Sequence, residues 1–253
     1  MQKTVAIALL FLLAHWSTAV PGAAFTPESL VYVTEDLEPY NYKENGLMKG
    51  LSVELLRLTW QQMGIKPQNI KMYPWARGYL MLQQQANVVL FTTARTLERE
   101  KLFKWAGSIT TRGQRCVLVA RKDRKIRIGV LEDAKKYRIG TIREDYAEQL
   151  ILKMGIHKSR IEPTRNMLLN LNKIIAGRID LIAYTEKSFY QILESAGFNA
   201  NDFESVYLIK ELFPCYAFNR AIPDSFIERF QQALDRVKQK PEYEELLKKY
   251  DLI

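Results

Sequence analysis

Val88-Val89-Leu90-Phe91-Thr92-Thr93-Ala94-Arg95-Thr96-Leu97-Glu98-Arg99 passes from a short apolar run into a polar turn and then into helix-compatible sequence that continues to Trp105. The apolar run has the length and β-branched content of a buried strand. In open α/β sheets small molecules settle beyond the carboxyl ends of strands, where loop amides and helix N-termini point at them. Thr96 and Arg99 place a hydroxyl and a guanidinium at the start of one turn, and a guanidinium is shaped to hold a carboxylate through two parallel hydrogen bonds. The residues alone also allow a plainer reading. Thr96 then caps a solvated helix, with Glu98 and Lys101, or Glu100 and Lys104, as ion pairs along its face.

Outward from this stretch, strands and helices alternate. Toward the N-terminus, Leu30 to Val33 reads as a strand, followed by a loop in which Tyr40 and Tyr42 are candidates to cover the apolar part of a ligand. A helix with an apolar face covers Leu51 to Met63. Ile70 to Met72 is a second strand, and a helix follows Pro74, with Trp75 as a candidate cleft wall or core residue. Strand, helix, strand, helix, strand is the mark of a parallel α/β unit. Toward the C-terminus, Arg115 to Arg121 reads as a strand leaving this unit, and a second series begins. It comprises strands at Tyr137 to Thr141 and Leu181 to Tyr184, and helices at Asp145 to Met154, Asn166 to Ala176 and Glu186 to Ala196, the last two ended by Gly177 and Gly197. Phe213 to Asn219 reads as a returning strand, before helices at Pro223 to Val237 and Glu242 to Tyr250.

With 253 residues and 47% hydrophobic content, the chain can bury a sizeable core. Residues 1–24 have the pattern of a secretory signal: Lys3, an apolar run from Val5 to Ala14, and small residues that allow cleavage after Ala19 or Ala24. An exported, periplasmic protein is the expectation. Lys3 is the one Lys, Arg, Asp or Glu before Phe25, so cleavage lowers the formal charge from +9 to +8. The basic residues are scattered, and an exported chain has little access to nucleic acid, so no nucleic-acid partner is expected. Cys116 and Cys215, each in a strand-like run, suit either a disulfide between neighbouring strands or two buried thiols. Two cysteines and, after export, the single His157 make a zinc site or a nucleophilic triad poor readings. No metal or cofactor is expected.

The opening stretch resembles the Thr-Pro-Glu-Arg segment of the family 3 extracellular solute-binding proteins, and further segments extend the resemblance along the mature chain. They are Pro39-Tyr40-Asn41-Tyr42 with the turn at Gly50, Pro74-Trp75-Ala76-Arg77, Phe103 to Gly107, and Gly177-Arg178-Ile179-Asp180. The resemblance implies the type II periplasmic-binding-protein fold, two α/β lobes joined by two hinge strands around Cys116 and Cys215. Lobe one would take residues 25–115, lobe two residues 116–214, and the C-terminal helices of 215–253 would return to lobe one. It also implies a monomeric receptor, not an enzyme, that closes on an amino acid or a related small carboxylate or amine and delivers it to an ABC-type permease. Arg99 would hold an anionic group, Thr92, Thr93 or Thr96 would donate hydroxyl bonds, Tyr40, Tyr42 and Trp75 would form walls, and Asp145 and Tyr146 would close from lobe two. On that reading Arg99→Ala would remove binding and leave the melting temperature nearly unchanged.

The sequence departs from the family pattern in lobe two. Glu144-Asp145-Tyr146 stands where a Gly-Thr-Thr or Gly-Ser-Thr turn usually meets the carboxylate, and Thr185 stands where the ammonium-binding acid usually lies, with Glu186 as the alternative acid. Asp145 suits either a cationic or hydroxyl-rich ligand or a plain helix N-cap. Two other classes of function remain open, a dehydratase-type enzyme on the same scaffold and a ligand sensor for a membrane signalling receptor.

Overall fold

The computed structural model describes residues 25–253; the signal-like segment 1–24 lies outside them. The chain order is β1 (Val31–Thr34), β2 (Tyr42–Glu44), β3 (Leu47–Lys49), α1 (Leu51–Gln62), β4 (Ile70–Met72), α2 (Trp75–Gln84), β5 (Val88–Ala94), α3 (Leu97–Glu100) and β6 (Lys104–Gly107). It continues with β7 (Gln114–Arg121), β8 (Ile139–Ile142), α4 (Tyr146–Lys153), β9 (Ile161–Thr164), α5 (Met167–Ile175), β10 (Leu181–Thr185), α6 (Glu186–Ser195) and β11 (Phe203–Leu212). β12 (Pro214–Phe218), α7 (Asp224–Lys238) and α8 (Pro241–Lys249) complete it.

Two five-stranded sheets result, in the orders β4-β1-β5-β12-β6 and β11-β7-β10-β8-β9. Each combines three parallel strands with an antiparallel pair at one side. The chain crosses between the sheets after β6 and returns between β11 and β12. This is the two-lobed type II architecture. The first lobe packs α1 and α7 around Leu55, Trp60, Tyr216, Phe226 and Phe230, all at most 1% exposed. α8 lies on the same face, tied to α1 where Lys249 and Tyr250 bond the Glu54 carboxylate. The second lobe buries Leu118, Ile139, Ala147, Ile151 and Leu181.

The opening stretch folds differently from the expected strand, turn and helix. β5 runs on through Thr92, Thr93 and Ala94, because Pro214 and Cys215 of β12 extend the ladder that far. α3 is a single turn, and Lys104 and Trp105 then pair with Phe218 and Ala217 of β12. α3 ends at Glu100, so Lys101 is only its C-cap and Lys104 stands in β6 rather than one helical turn beyond Glu100. Glu100 instead bonds Arg95, Glu98 bonds Lys153 of the other lobe, and Lys104 bonds Asp224 at 2.8 Å.

The disulfide expected as one option between Cys116 and Cys215 does not form. Both thiols are free and buried. Cys116 lies in β7, whose partners are β10 and β11, while Cys215 lies in β12, whose partners are β5 and β6, so the two strands are never neighbours. Burial pushes the Cys116 thiol up to about 12 and the Cys215 thiol up to about 11, which keeps both protonated and unreactive at neutral pH.

Candidate functional site

The parallel strands of both sheets aim their carboxyl ends at the gap between the lobes, the place where open α/β sheets bind ligands. From lobe one, Glu35 and Asp36 follow β1, Tyr73 and Trp75 follow β4, and Thr92 and Ala94 end β5. From lobe two, Glu144 and Asp145 follow β8, Arg165 and Asn166 follow β9, and Tyr184 and Thr185 end β10. Inside the gap is a chamber with space of ≈ 10 Å³, walled by Glu35, Trp75, Thr92, Asp145, Tyr184 and Thr185 among others. That is room for about one water-sized group. Outward from it opens a groove of ≈ 670 Å³, and Glu35, Trp75 and Tyr184 wall both.

Arg99 sits beside the chamber and is 1% exposed, although α3 is a surface turn. Its guanidinium carbon lies 5.0 Å from the Trp75 ring centre and 4.9 Å from that of Tyr79, and these two rings stack 5.6 Å apart. Nη1 donates to the Ala94 carbonyl at 3.4 Å, and Nη2 donates across the gap to the Glu144 carbonyl at 3.3 Å. Nε is buried without a partner. The same Glu144 carbonyl accepts the Trp75 indole N–H at 2.8 Å. Glu144 adopts a left-handed backbone, φ 61°, a conformation that costs a non-glycine residue about 1–3 kcal/mol and persists only where its surroundings hold it. Here its N–H donates to the Glu148 carboxylate and its carbonyl also accepts from Gln149. At the rim, the Glu98–Lys153 ion pair is a further bond between the lobes. These contacts describe a closed cleft.

Asp145 is the N-cap of α4, its carboxylate accepting from the Tyr146 N–H at 2.6 Å, and it is 6% exposed. Tyr146 and Thr185 bond through their hydroxyls at 2.9 Å, which closes the chamber floor. Burial pushes the Asp145 carboxyl up to about 6, with the Arg99 charge and backbone N–H groups pulling it down and Glu148 adding to the rise. Burial also holds the Glu35 carboxyl well above the usual range, with repulsion from Asp145 and Asp36 added and attraction to Arg99 opposing.

These raised values have a sign. Between about pH 4 and pH 6 the folded chain keeps protons that unfolded carboxyls release, so stability falls as pH rises through that window, by on the order of 1–3 kcal/mol for Asp145. The groups facing Asp145 are Arg99, Glu35, Glu148, Tyr146, Tyr184 and Cys116. In thermal unfolding from pH 4.5 to pH 7.5, Asp145→Asn, which keeps a capping oxygen, should gain on the wild type steadily toward pH 7.5. A constant difference would show that Asp145 titrates normally.

Of the residues expected at the site, Trp75, Thr92, Asp145, Tyr146 and Thr185 meet at the chamber, with Arg99 beside it. Thr92 bonds Asn41 from its own left-handed position, φ 60°. Thr93 is buried in the sheet and bonds the Leu90 carbonyl, and Thr96 caps α3 by accepting the Arg99 N–H. Tyr40 faces the chain crossing beside Gln114 and Thr110, and Tyr42 lies on the β2–β3 hairpin. Glu186 pairs with Arg115 at 3.1 Å, away from the chamber. Glu35, Tyr79 and Tyr184 take prominent places that the motifs did not mark. Glu35 could have been found from its position, directly beyond the carboxyl end of β1. Among the described residues no group of three His, Cys, Asp or Glu side chains is placed to hold a metal, and no helix is long and apolar enough to cross a membrane.

Solved structures with this arrangement include a histidine kinase sensor domain similar to periplasmic binding proteins, with TM-score 0.76 and 18% identity over 87% of this chain and 95% of that one. The arginine-, lysine-, histidine-binding protein ArtJ of Geobacillus stearothermophilus gives TM-score 0.75 and 16% identity, covering 87% and 94%. The ancestral amino-acid-binding protein AncCDT-1, a precursor of cyclohexadienyl dehydratase, gives 0.70 and 18%, covering 88% and 95%. Among curated proteins no sequence relative matches. The sequence profile of the bacterial extracellular solute-binding proteins, family 3, matches residues 30–252, nearly all of the described chain. The resemblance first seen around Arg99 thus holds along both lobes, and the chain belongs to the bacterial extracellular solute-binding proteins, family 3.

Proposed function

We propose that this protein is a periplasmic receptor that captures a small polar ligand, an amino acid or a related small carboxylate or amine, by closing its two lobes, and hands it to an ABC-type permease as a monomer. The observation that carries this reading is the convergence of buried charge from both lobes on one chamber. Glu35 reaches the chamber from lobe one and Asp145, 6% exposed, from lobe two, while Arg99, 1% exposed, is buried beside them against Trp75. Ligand contacts divided in this way select the closed state, because neither lobe alone completes the site. Arg99, Asp145, Glu35, Trp75, Tyr146 and Thr185 would face the captured molecule or hold the lobes around it.

The sensor-domain likeness keeps a signalling receptor as an alternative acceptor of the closed form, and the dehydratase precursor keeps turnover worth testing. Native mass spectrometry of the exported protein, followed by a thermal-shift screen of amino acids, organic acids, amines and small sugars, tests the reading. One retained mass, or a shift of several degrees with one compound class, is the expected result. Chemical conversion of that compound would replace the receptor with an enzyme, and no mass and no shift would remove the uptake role.

A further inference from the structure

We propose that the face of lobe two farthest from the cleft is a docking surface for an anionic phospholipid membrane. Basic residues that look scattered along the sequence are gathered there by the fold.

The sheet of lobe two brings them together. Leu181 of β10 pairs with Ala120 of β7 and with Ile139 of β8, and Ile139 pairs with Ile161 of β9, so these four residues form one row across the sheet. The parallel strands β8, β9 and β10 begin at this row and the antiparallel β7 ends beside it, whereas the cleft lies at the carboxyl ends of the parallel strands. The segments just outside the row carry the charge. Lys122 and Lys125 follow β7, Lys136 precedes β8, Lys158 and Arg160 precede β9, and Arg178 precedes β10. All six are exposed, and among the described residues none of them has an ion-pair partner.

The acids of this face are already engaged. Asp180 meets Arg124 and Arg138, Asp123 meets Arg121, Glu132 meets Lys135, and Glu204 meets Arg127. Asp133 accepts the backbone N–H groups of Gly129 and Val130, and Asp202 accepts from the Asn199 amide. A net positive field therefore remains over this end of the lobe.

Exposed apolar side chains stand among the cations, and they are the independent reason for a membrane. Val130 is 56% exposed, Ile175 41% and Met154 36%. α4 and α5 start at the cleft and run back to the far face, where Met154 and Ile175 lie at their C-terminal ends. Arg121 Nη1 donates to the Ile175 carbonyl at 3.4 Å, which sets Ile175 beside the basic cluster. An acidic polymer in water would use the cations alone, whereas a bilayer surface offers anionic headgroups to the cations and an apolar boundary to the exposed Val, Ile and Met. The groove at the cleft has the opposite sign, with Glu35, Asp36 and Glu38 against Arg165. An anionic surface would attract the far face and repel the groove, which turns the cleft away from the lipid and leaves it free to open and close. Docking of this kind would concentrate the protein at the membrane whichever ligand the cleft takes.

The test is co-sedimentation of the full mature chain with vesicles of mixed phosphatidylglycerol and phosphatidylcholine, against vesicles of phosphatidylcholine alone. At low ionic strength the chain should pellet with the anionic vesicles and stay in solution with the neutral ones, and its affinity should fall at least tenfold at about 0.5 M salt. Lys122→Gln, Lys125→Gln and Lys136→Gln combined should weaken binding by about thirtyfold or more, since each cation close to an anionic surface contributes roughly fivefold. The same change at Lys43, Lys71 and Lys101, three exposed lysines of lobe one, should weaken it by less than about threefold. Both triple variants should keep the wild-type melting temperature, because none of the six lysines is ion-paired. No binding to anionic vesicles at low salt would overturn the proposal. Equal losses from the two triple variants would overturn it too, since net charge rather than this face would then be responsible. Binding to soluble polyglutamate with none to vesicles would assign the face to an acidic polymer instead. The receptor reading stands under each of these outcomes.

Discussion

Trp75→Ala should destabilise the protein by about 3–5 kcal/mol, the range for deleting a buried tryptophan. In a chain of this size that lowers the melting temperature by roughly 10 °C. Three separate interactions are lost. Trp75 is 3% exposed, its ring stacks on Tyr79 and lies 5.0 Å from the Arg99 guanidinium, and its indole N–H bonds the Glu144 carbonyl of the other lobe. Trp75→Phe separates them. It keeps an aromatic wall for Arg99 and removes only the bond across the cleft, so it should cost about 1 kcal/mol of stability. Its larger effect should be on closure. Small-angle scattering should show a greater radius of gyration for Trp75→Phe than for wild type without ligand, converging on the wild-type value once ligand binds. Equal radii in the unliganded proteins would mean that the Glu144 contact does not hold the lobes together.

Arg99→Ala should cost a similar amount, about 3–5 kcal/mol, because it takes the nearest cation away from the buried Asp145 carboxyl and the half-buried Glu35 carboxyl as well as leaving a cavity beside Trp75 and Tyr79. This reverses the expectation from sequence that the substitution would leave the melting temperature nearly unchanged. An arginine presented only to ligand would be half solvated in its absence, whereas Arg99 is 1% exposed and bonded to the chain on both sides of the cleft. Arg99→Met fills much of the space without the charge and so isolates the electrostatic part. Without the guanidinium the Asp145 carboxyl rises beyond its value of about 6, and its ionisation then opposes folding across a wider pH range. The loss from Arg99→Met should therefore be larger at pH 7.5 than at pH 5. A loss that does not change with pH would assign Arg99 a packing role alone. Because Trp75 and Arg99 are in contact, the double variant should lose less than the sum of the two single losses.

The central parallel strands were legible because buried parallel strands read as short apolar runs. Val31–Thr34, Leu181–Thr185 and the start of β5 lie within a residue of where the apolar pattern places them, as does the edge strand Ile70–Met72. The other edge strands were not legible. β11 alternates poorly and exposes Glu204, Ser205, Lys210 and Glu211 to varying degrees, and β9 contains Pro163, which an edge tolerates because its missing N–H faces no partner. β6 was absorbed into the helix expected after Arg99, since Phe103, Lys104 and Trp105 carry no signal that separates a one-turn helix followed by a strand from a longer helix. The β2–β3 hairpin was read as loop and turn, being short and mostly exposed.

By itself the sequence determined the family and the alternation of two α/β series, because these depend on neighbours within a few residues, and it offered helix caps at Thr96 and Asp145 as one of two readings for each. Only the tertiary structure decided what Arg99 touches. Its partner across the cleft is a backbone carbonyl 45 residues away, and the indole that shares this carbonyl is 69 residues from it. Every residue carries a carbonyl, so nothing in the amino-acid order marks Glu144 as the acceptor; the left-handed turn there and the approach of the two lobes do. The same holds for Cys116 and Cys215, which look alike as buried strand cysteines and are kept apart because the chain assigns β7 and β12 to different sheets.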